Sequence, residues 1–206
     1  MAGRKIVTEW FRMPAVWPII GDALAQFDEP VTVWSGACGT GEEPYSAAIL
    51  MEERGLRGRV TASDIDVPNL RTAARGWYAG PSIRRELADG RMTAEQLCSH
   101  FVPRKGGYVV RPGVRDRVSF SALHLGSDAP PECHVALLRN VWRHIEPAGQ
   151  ATLTAQLSKT LAPGGLLVLG GADLLTPTLE PTYPRGLLDH FTPSGFHSAV
   201  WRAVSR

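Results

Sequence analysis

The sequence predicts an α/β protein with a parallel sheet and crossover helices. Three observations support this class. A short apolar segment at 31–36 enters a glycine-rich turn and then a helical pattern, a second strand and helix follow at 58–75, and strand–helix alternation returns after residue 117. At 206 residues, the chain is long enough for one domain with a small insertion, and we expect a single domain over 1–206.

The first two units are defined by local patterns. VTVWSG at 31–36 is predicted to be a buried strand, and YSAAILMEER continues as a helix that Gly55 ends. GRVTAS at 58–63 is predicted to be the second strand, and the helical VPNLRTAAR that follows is closed by Gly76. Two consecutive strand–loop–helix units of this kind are typical of a parallel sheet.

The pattern then changes in a stretch rich in Gly, Pro and Arg. A helical MTAEQLCSHF precedes a predicted hairpin around residues 105–107, and we expect an inserted β-subdomain over about 77–117. Later elements are predicted as strands RVSFSAL (117–123) and HVALLRN (134–140), a helix (148–162), and strands GLLVLGG (165–171) and HSAVWRAV (197–204).

Composition excludes several classes of function. A net charge of +2 without a basic run does not suggest a nucleic-acid partner. Three cysteines without CxxC, and six histidines without HxxxH or HExxH spacing, predict no disulfide framework and no metal site. No apolar run is long enough to span a membrane and no secretory signal is visible, so we expect a cytoplasmic protein.

The glycine-rich turn is the first candidate site. Gly36, Gly39 and Gly41 allow the backbone to turn sharply and lie close to a ligand. The acids at 42 and 43 would repel a phosphate there but attract a cation, such as the amino group of an amino-acid-bearing cofactor. An ordinary glycine-rich turn is the alternative.

Asp64 directly follows the second predicted strand. An acid at this point, some twenty residues after a glycine turn, can bond both hydroxyls of a ribose. The alternative is a helix N-cap, and Asp66 lies closer to the following helix. One aspartate can therefore serve each role.

Five segments carry a resemblance to a known family. They are VWSGACGTGEEPYSAAIL, TASDID, NLRTAARGWY, RNVWRHI and LAPGGLLVLGGADLL. From Thr8 onward the chain resembles the CheR-type chemoreceptor methyltransferases, which use S-adenosylmethionine (SAM) to methylate receptor glutamates and release S-adenosylhomocysteine (SAH). The resemblance implies a Rossmann-like, seven-stranded class I methyltransferase sheet with helices on both faces, and matches the insertion to the family's small β-subdomain. The chain departs from the family in one respect: only about seven residues precede Thr8, so we expect it to lack the family's N-terminal helical domain.

The resemblance assigns residues to the site. Near the methyl-transfer centre it places Arg12, Asn140 and His144, although Arg12 can also be an ordinary surface arginine. One of Glu42 and Glu43, preferably Glu42, falls on the family's cofactor-binding carboxylate. The implied cofactor-binding set is Thr8, Gly36, Ala37, Gly39, Gly41, Glu42, Asp64, Ile65, His124, Leu125, Arg139 and Asn140.

One departure from the family bears on the acceptor. The family's RNVxIYF reads RNVWRHIE here, so His144 stands in place of an active-site Tyr. A carboxylate acceptor needs no base, whereas an amine or hydroxyl acceptor must lose a proton, which histidine can accept. We therefore expect a small-molecule acceptor. The alternatives are a protein-glutamate O-methyltransferase acting on a receptor, a non-catalytic cofactor-binding regulatory module and, for His144 itself, simple packing.

Overall fold

The computed structural model describes residues 8–174 and 182–204. Within them, a seven-stranded sheet has the order β6-β2-β1-β7-β8-β10-β9, and a separate three-stranded sheet has the order β3-β5-β4. The strands are β1 Val31–Gly36, β2 Gly58–Asp64, β3 Trp77–Ala79, β4 Phe101–Arg104, β5 Gly107–Val110, β6 Val118–Ala122, β7 Cys133–Leu138, β8 Leu161–Leu169, β9 Phe191–Pro193 and β10 Val200–Ala203.

Five neighbouring strands of the large sheet are parallel. β1 lies between β2 and β7, with Trp34 paired to Thr61 on one side and to Ala136 on the other. β6 adds in parallel to β2 and β8 to β7, whereas β10 and β9 complete the sheet in antiparallel fashion. The carboxyl ends of the five parallel strands therefore lie along one edge, where ligands bind in folds of this type.

Helices cover both faces of the sheet. They are α1 Val16–Leu24, α2 Glu42–Glu53, α3 Val67–Arg75, α4 Gly80–Ala88, α5 Ala94–His100, α6 Pro112–Arg115, α7 Pro147–Thr160 and α8 Leu187–His190. One core cluster packs α1 and α2 against the sheet and includes Ile20 and Ile49. A second cluster joins α7 to the opposite face through Leu153 and Leu157. The predicted α/β class with helices on both faces is confirmed. Among the described residues, no helix has the length and apolar character needed to cross a membrane.

The small sheet interrupts the α/β alternation between α3 and β6. β4 and β5 form an antiparallel hairpin whose turn contains Gly106, at φ +76°, as the glycine pair in the sequence predicted. β3 pairs with the other side of β5, and α4 and α5 pack against this sheet.

Several elements differ from the sequence prediction. α1 was not predicted, because Pro18 and Gly21 interrupt its helical pattern. β8 starts at Leu161, four residues earlier than expected, because a segment that reads as a turn joins the strand beside a register shift in its pairing with β7. In α1, the buried apolar side chains decide the structure against the local propensity.

Candidate functional site

The predicted site residues follow the carboxyl ends of the parallel strands. Ala37 follows β1, Ile65 follows β2, His124 lies two residues beyond β6, and Arg139 follows β7. Since these strands are adjacent and parallel, their following loops share one edge of the sheet. This edge is the candidate site.

The glycine turn, residues 36–41, is held in a left-handed backbone and tied to β2. Ala37, Gly39 and Gly41 have φ values of 57°, 56° and 97°. The Gly39 N–H donates to Asp64 Oδ2 at 2.8 Å. A Cβ at Gly41 would lie 2.8 Å from the Ala73 Cβ, so this position requires glycine for space as well as for conformation.

A chain of hydroxyl groups leads from the N-terminal segment to Glu42. The Oγ1 atoms of Thr8 and Thr40 lie 2.9 Å apart, and Thr40 Oγ1 donates to Glu42 Oε2 at 2.7 Å. The Glu42 side chain is buried, and this burial raises its pKa, with the nearby charge of Glu86 acting in the same direction. Tyr78, from the small sheet, donates its hydroxyl to the Thr40 carbonyl at 2.8 Å. Thr40, Tyr78 and Glu86 are not among the predicted site residues. For Thr40, the ACGTG motif that contains it is a local signal.

The adjacent Glu43 has a different environment. Its carboxylate accepts from Ser35 Oγ at 2.6 Å and from Arg139 Nε at 2.5 Å. Arg139 also donates to the Arg12 carbonyl, and its guanidinium lies 5.1 Å from the ring centroid of Trp17. The resemblance placed Arg139 among the cofactor contacts, but these contacts put its side chain in a buried ion pair that joins β7 to α2 and to the N-terminal segment.

Asp64 is nearly buried and fixes the backbone around it. Its Oδ2 accepts the Gly39 N–H, and its Oδ1 accepts the Asp66 N–H at 2.8 Å. Asp66 caps α3 by accepting the Asn69 N–H at 3.0 Å, so the N-cap role falls on Asp66. Ile65, between the two aspartates, is 66% exposed and presents an apolar side chain beside Asp64.

The two residues expected to contact the cofactor after β6 lie in a tight loop. His124 is exposed; its Nδ1 is 2.8 Å from Ser127 Oγ, and its N–H donates to Asp128. Leu125 is half-buried and packs against the second core cluster. Only Leu125 is therefore anchored in the protein interior.

The loop after β7, residues 139–142 (the β7 loop), bends around Asp173. Asn140 has φ 59°, and its N–H donates to Asp173 Oδ2. The N–H groups of Gly170 and Trp142 donate to the same carboxylate at 3.0 and 3.2 Å. Burial raises the pKa of Asp173 to about 6, although these hydrogen bonds act to lower it. Asp173 is not among the predicted site residues, because its GGAD segment carries no local signal of this role.

Arg12 and His144, expected near the transfer centre, lie on separate segments. Arg12 Nε pairs with Glu9 Oε2 at 2.7 Å, and its side chain is 22% exposed. His144 is exposed at the end of the 3-10 turn Trp142–His144. Within residues 8–174 and 182–204, no group of three or more His, Cys, Asp or Glu side chains could hold a metal ion.

One family model covers most of the chain. The family model described as CheR methyltransferase, SAM binding domain, matches residues 7–184. An uncharacterized 104.1 kDa protein of Rhodobacter capsulatus is 26% identical over 96% of this chain and 21% of that protein. A chemotaxis protein methyltransferase of Klebsiella aerogenes is 30% identical over 87% of this chain and 64% of its own length. The chain thus spans less than two thirds of either relative.

Among solved structures, the glycopeptide N-methyltransferase MtfA complexed with sinefungin is similar to this chain. It is 16% identical, with a TM-score of 0.47, over 81% of this chain and 52% of that one. The family model, in contrast, covers most of the present sequence. The protein belongs to the CheR methyltransferase family and carries its SAM-binding domain.

Proposed function

We propose that this domain binds SAM at the carboxyl edge of the sheet and transfers its methyl group to an acceptor. The observation that carries the proposal is the buried carboxyl of Glu42, which the hydroxyls of Thr8 and Thr40 approach at the end of the glycine turn. A buried carboxylate is stabilised strongly by a cation, and the α-amino group of SAM is a cation of suitable size. Glu43 already has such a partner in Arg139, which favours Glu42 as the cofactor-binding acid.

The residues around the glycine turn fit the other parts of SAM. Each Asp64 carboxylate oxygen accepts one backbone N–H and keeps a further lone pair with which to accept a ribose hydroxyl. Ile65 is an exposed apolar side chain beside Asp64 and is suited to contact with adenine. When bound, SAM supplies a methyl group made electrophilic by the attached sulfonium.

The protein's own contribution to the reaction is mainly orientation. Holding an acceptor in line with a reactive methyl group removes much of the entropic barrier to a bimolecular step. Asn140 belongs to the β7 loop, and Arg12 and His144 lie on segments near it. Towards an acceptor, Arg12 can offer a positive charge and His144 a nitrogen that accepts a proton. An amine or hydroxyl acceptor can give its proton to His144, and the exposure of His144 allows the proton to pass on to solvent.

A small-molecule acceptor is our preferred substrate class, because His144 replaces the family's Tyr. A receptor glutamate is the second candidate. The Klebsiella aerogenes relative, named a chemotaxis protein methyltransferase, favours this candidate. The two candidates differ in their need for a base, and this difference can be measured.

The cofactor site is tested by calorimetric titration with SAM and SAH. We expect Asp64→Ala to weaken binding at least about a hundredfold, because it removes the ribose acceptor and releases Gly39. Asp22→Ala is the matched control, because Asp22 is an exposed acid on α1 that pairs with Arg54. A folded wild-type protein that binds neither compound would contradict the proposal. Binding without transfer to any acceptor would instead favour a regulatory module.

The acceptor class is tested with SAM labelled at its methyl group, using small amines, small hydroxyl compounds and a receptor fragment. On an amine or hydroxyl acceptor, His144→Phe should lower turnover by about a hundredfold or more. His190→Phe, on α8, is the matched control. Near-normal turnover by His144→Phe on the true acceptor would show that His144 is not the base, and labelling of the receptor fragment alone would favour the glutamate candidate.

A further inference from the structure

The Asp173 carboxylate accepts hydrogen bonds from two separate segments. It lies beyond the end of β8 and is 5% exposed. It accepts the N–H groups of Asn140 and Trp142 from the β7 loop, and that of Gly170 from its own segment. Burying a carboxylate is costly unless such donors surround it, so its ionised form favours this arrangement of the two segments over others.

The backbone of Asn140 requires this support. A φ of 59° is uncommon for a residue with a side chain, even though asparagine tolerates it better than most. Such conformations persist only where the surrounding structure holds them. Here the Asn140 N–H is itself bonded to Asp173, so the carboxylate acts directly on the unusual residue.

Gly170 lets Asn140 and Asp173 lie close together because it has no side chain. A Cβ at this position would lie 2.5 Å from both the Asn140 N and Oδ1 atoms, and 2.8 Å from Asp173 Oδ2. Its φ of −83° is ordinary for any residue, so the requirement for glycine is steric. At the neighbouring Gly171, a Cβ would meet nothing within 4 Å.

We propose that Asp173 is a positioning residue for the bound cofactor. It acts through the backbone of Asn140, which it holds beside Gly170, and does not itself contact SAM. The inference rests on the proposed function, since it takes the carboxyl edge of the sheet as the SAM site. The ionised carboxylate accepts all three N–H groups, whereas protonation removes part of its accepting capacity.

Ionisation of Asp173 falls in a measurable range. Burial raises its pKa to about 6, and Arg143, the charged side chain that acts on it, lowers the pKa only in part. We therefore expect the affinity for SAH to fall as the pH decreases through about 6. Glu42 can also titrate on binding, so the contribution of Asp173 is the difference between wild type and a variant that lacks its charge.

The first test compares the two adjacent glycines by calorimetric titration of the full chain with SAH at pH 7.5, a value about 1.5 units above the pKa of Asp173. Gly170→Ala should weaken SAH binding by about tenfold or more, because its Cβ displaces the backbone of Asn140. Gly171→Ala should bind within about twofold of wild type. Equal affinity for Gly170→Ala and wild type would overturn the proposal.

The second test uses Asp173→Asn and repeats the SAH titration between pH 5 and pH 8. The variant should bind about tenfold more weakly at pH 8 and should lack the wild-type loss of affinity near pH 6. Asp22→Asn is the matched control and should follow the wild-type profile. A merely structural role would leave that pH step in place, and an Asp173→Asn profile that follows wild type would overturn the proposal.

The two levels of inference fail in different ways. If wild type binds no SAH at any pH, the proposed function fails and this inference fails with it. If wild type binds SAH but either Gly170→Ala or Asp173→Asn matches it, only the positioning role fails. If Asp173→Asn does not fold, Gly170→Ala decides the question, since it disturbs the contact with Asn140 without removing the Asp173 side chain.

Discussion

The glycine turn and the β7 loop lie at the same edge of the sheet, and each bends around a buried carboxylate. Asp64 holds the glycine turn through the N–H of Gly39. Asp173 holds the β7 loop through the N–H groups of Asn140 and Trp142. Each acid lies at or just beyond the end of the next parallel strand along the chain, 25 residues from Gly39 for Asp64 and 33 residues from Asn140 for Asp173.

The two regions differ instead in whether the residues of the turn itself report its unusual backbone. In the glycine turn, two of the three left-handed residues are glycines, so the sequence itself reports the unusual backbone. In the β7 loop the left-handed residue is Asn140, and only the folded chain shows why it is tolerated. Both turns are thus held by an acid that is distant in sequence, but only the glycine turn also contains the glycines that its backbone favours.

The largest expected effect comes from the ion pair that joins the two regions. Arg139, in the β7 loop, is buried against Glu43, at the start of α2. Arg139→Met leaves the Glu43 carboxylate, whose side chain is only 15% exposed, without its cation, and we expect a loss of about 3–5 kcal/mol in the free energy of unfolding. Urea denaturation measures this loss.

Arg54→Met is the matched control for this pair. Arg54 pairs with Asp22 at the surface, where their side chains are 37% and 70% exposed, so we expect a loss below about 1 kcal/mol. Replacing both Glu43 and Arg139 with apolar residues should cost less than the sum of the two single changes. Equal losses for Arg139→Met and Arg54→Met would show that the two regions are not joined through this pair.

The next effect concerns the pH dependence of stability. Folding raises the pKa of Asp173 from 3.8 to about 6. The protonated carboxyl therefore stabilises the folded state below pH 4, and that contribution is lost as the pH rises through 6. From below pH 3 to above pH 7, wild type should lose about 3 kcal/mol relative to Asp173→Asn, from a shift of about 2.2 units at 1.36 kcal/mol each. About 2.4 kcal/mol of this loss falls between pH 4 and pH 7.

Urea denaturation of wild type and Asp173→Asn at both pH values measures this difference, because the two proteins share every other titrating group. A difference in stability that does not change with pH would contradict the raised pKa. The ionised form proposed to hold the β7 loop is thus also the form that lowers stability, a compromise common in functional sites.

The smallest effect tests how each region tolerates an added methyl group. A Cβ at Gly36 would lie 2.4 Å from Leu138 Cδ2, the end of a side chain, whereas at Gly170 it meets backbone. Gly36→Ala should cost about 1–2 kcal/mol, as expected for modest overpacking. Adding Leu138→Val should recover part of that loss, which thermal unfolding of the two single variants and the double variant will measure. No recovery would mean that the glycine turn is as rigid as the β7 loop.

Much of the fold could be predicted because its patterns are local. The strand that leads into the glycine turn, the next strand along the chain and the β4–β5 hairpin follow from short runs of apolar residues and glycines. α1 could not be predicted in this way, since Pro18 weakens its helical pattern and tertiary packing decides its structure. Local propensity is therefore a reliable guide only where no breaker lies inside the element.

The residues of the candidate site also differ in whether the sequence predicts them. Glu42 and Asp64 stand in motifs that could be read directly, whereas Glu86 and Asp173 reach the site from elements distant in sequence. Arg139 stands in a recognisable motif, RNV, but the sequence does not show that it pairs with Glu43. Only the fold brings these two side chains together.

The position of Asp173 also has a consequence for synthesis. Ribosomes make the chain from its N-terminus, so Asn140 is made 33 residues before the carboxylate that holds its N–H. The glycine turn and Asp64 have both been made by residue 64, long before the β7 loop has all its partners. A nascent chain that ends before β8 can therefore contain the glycine turn with its holding acid, but it cannot fix Asn140, and this half of the site is assembled late.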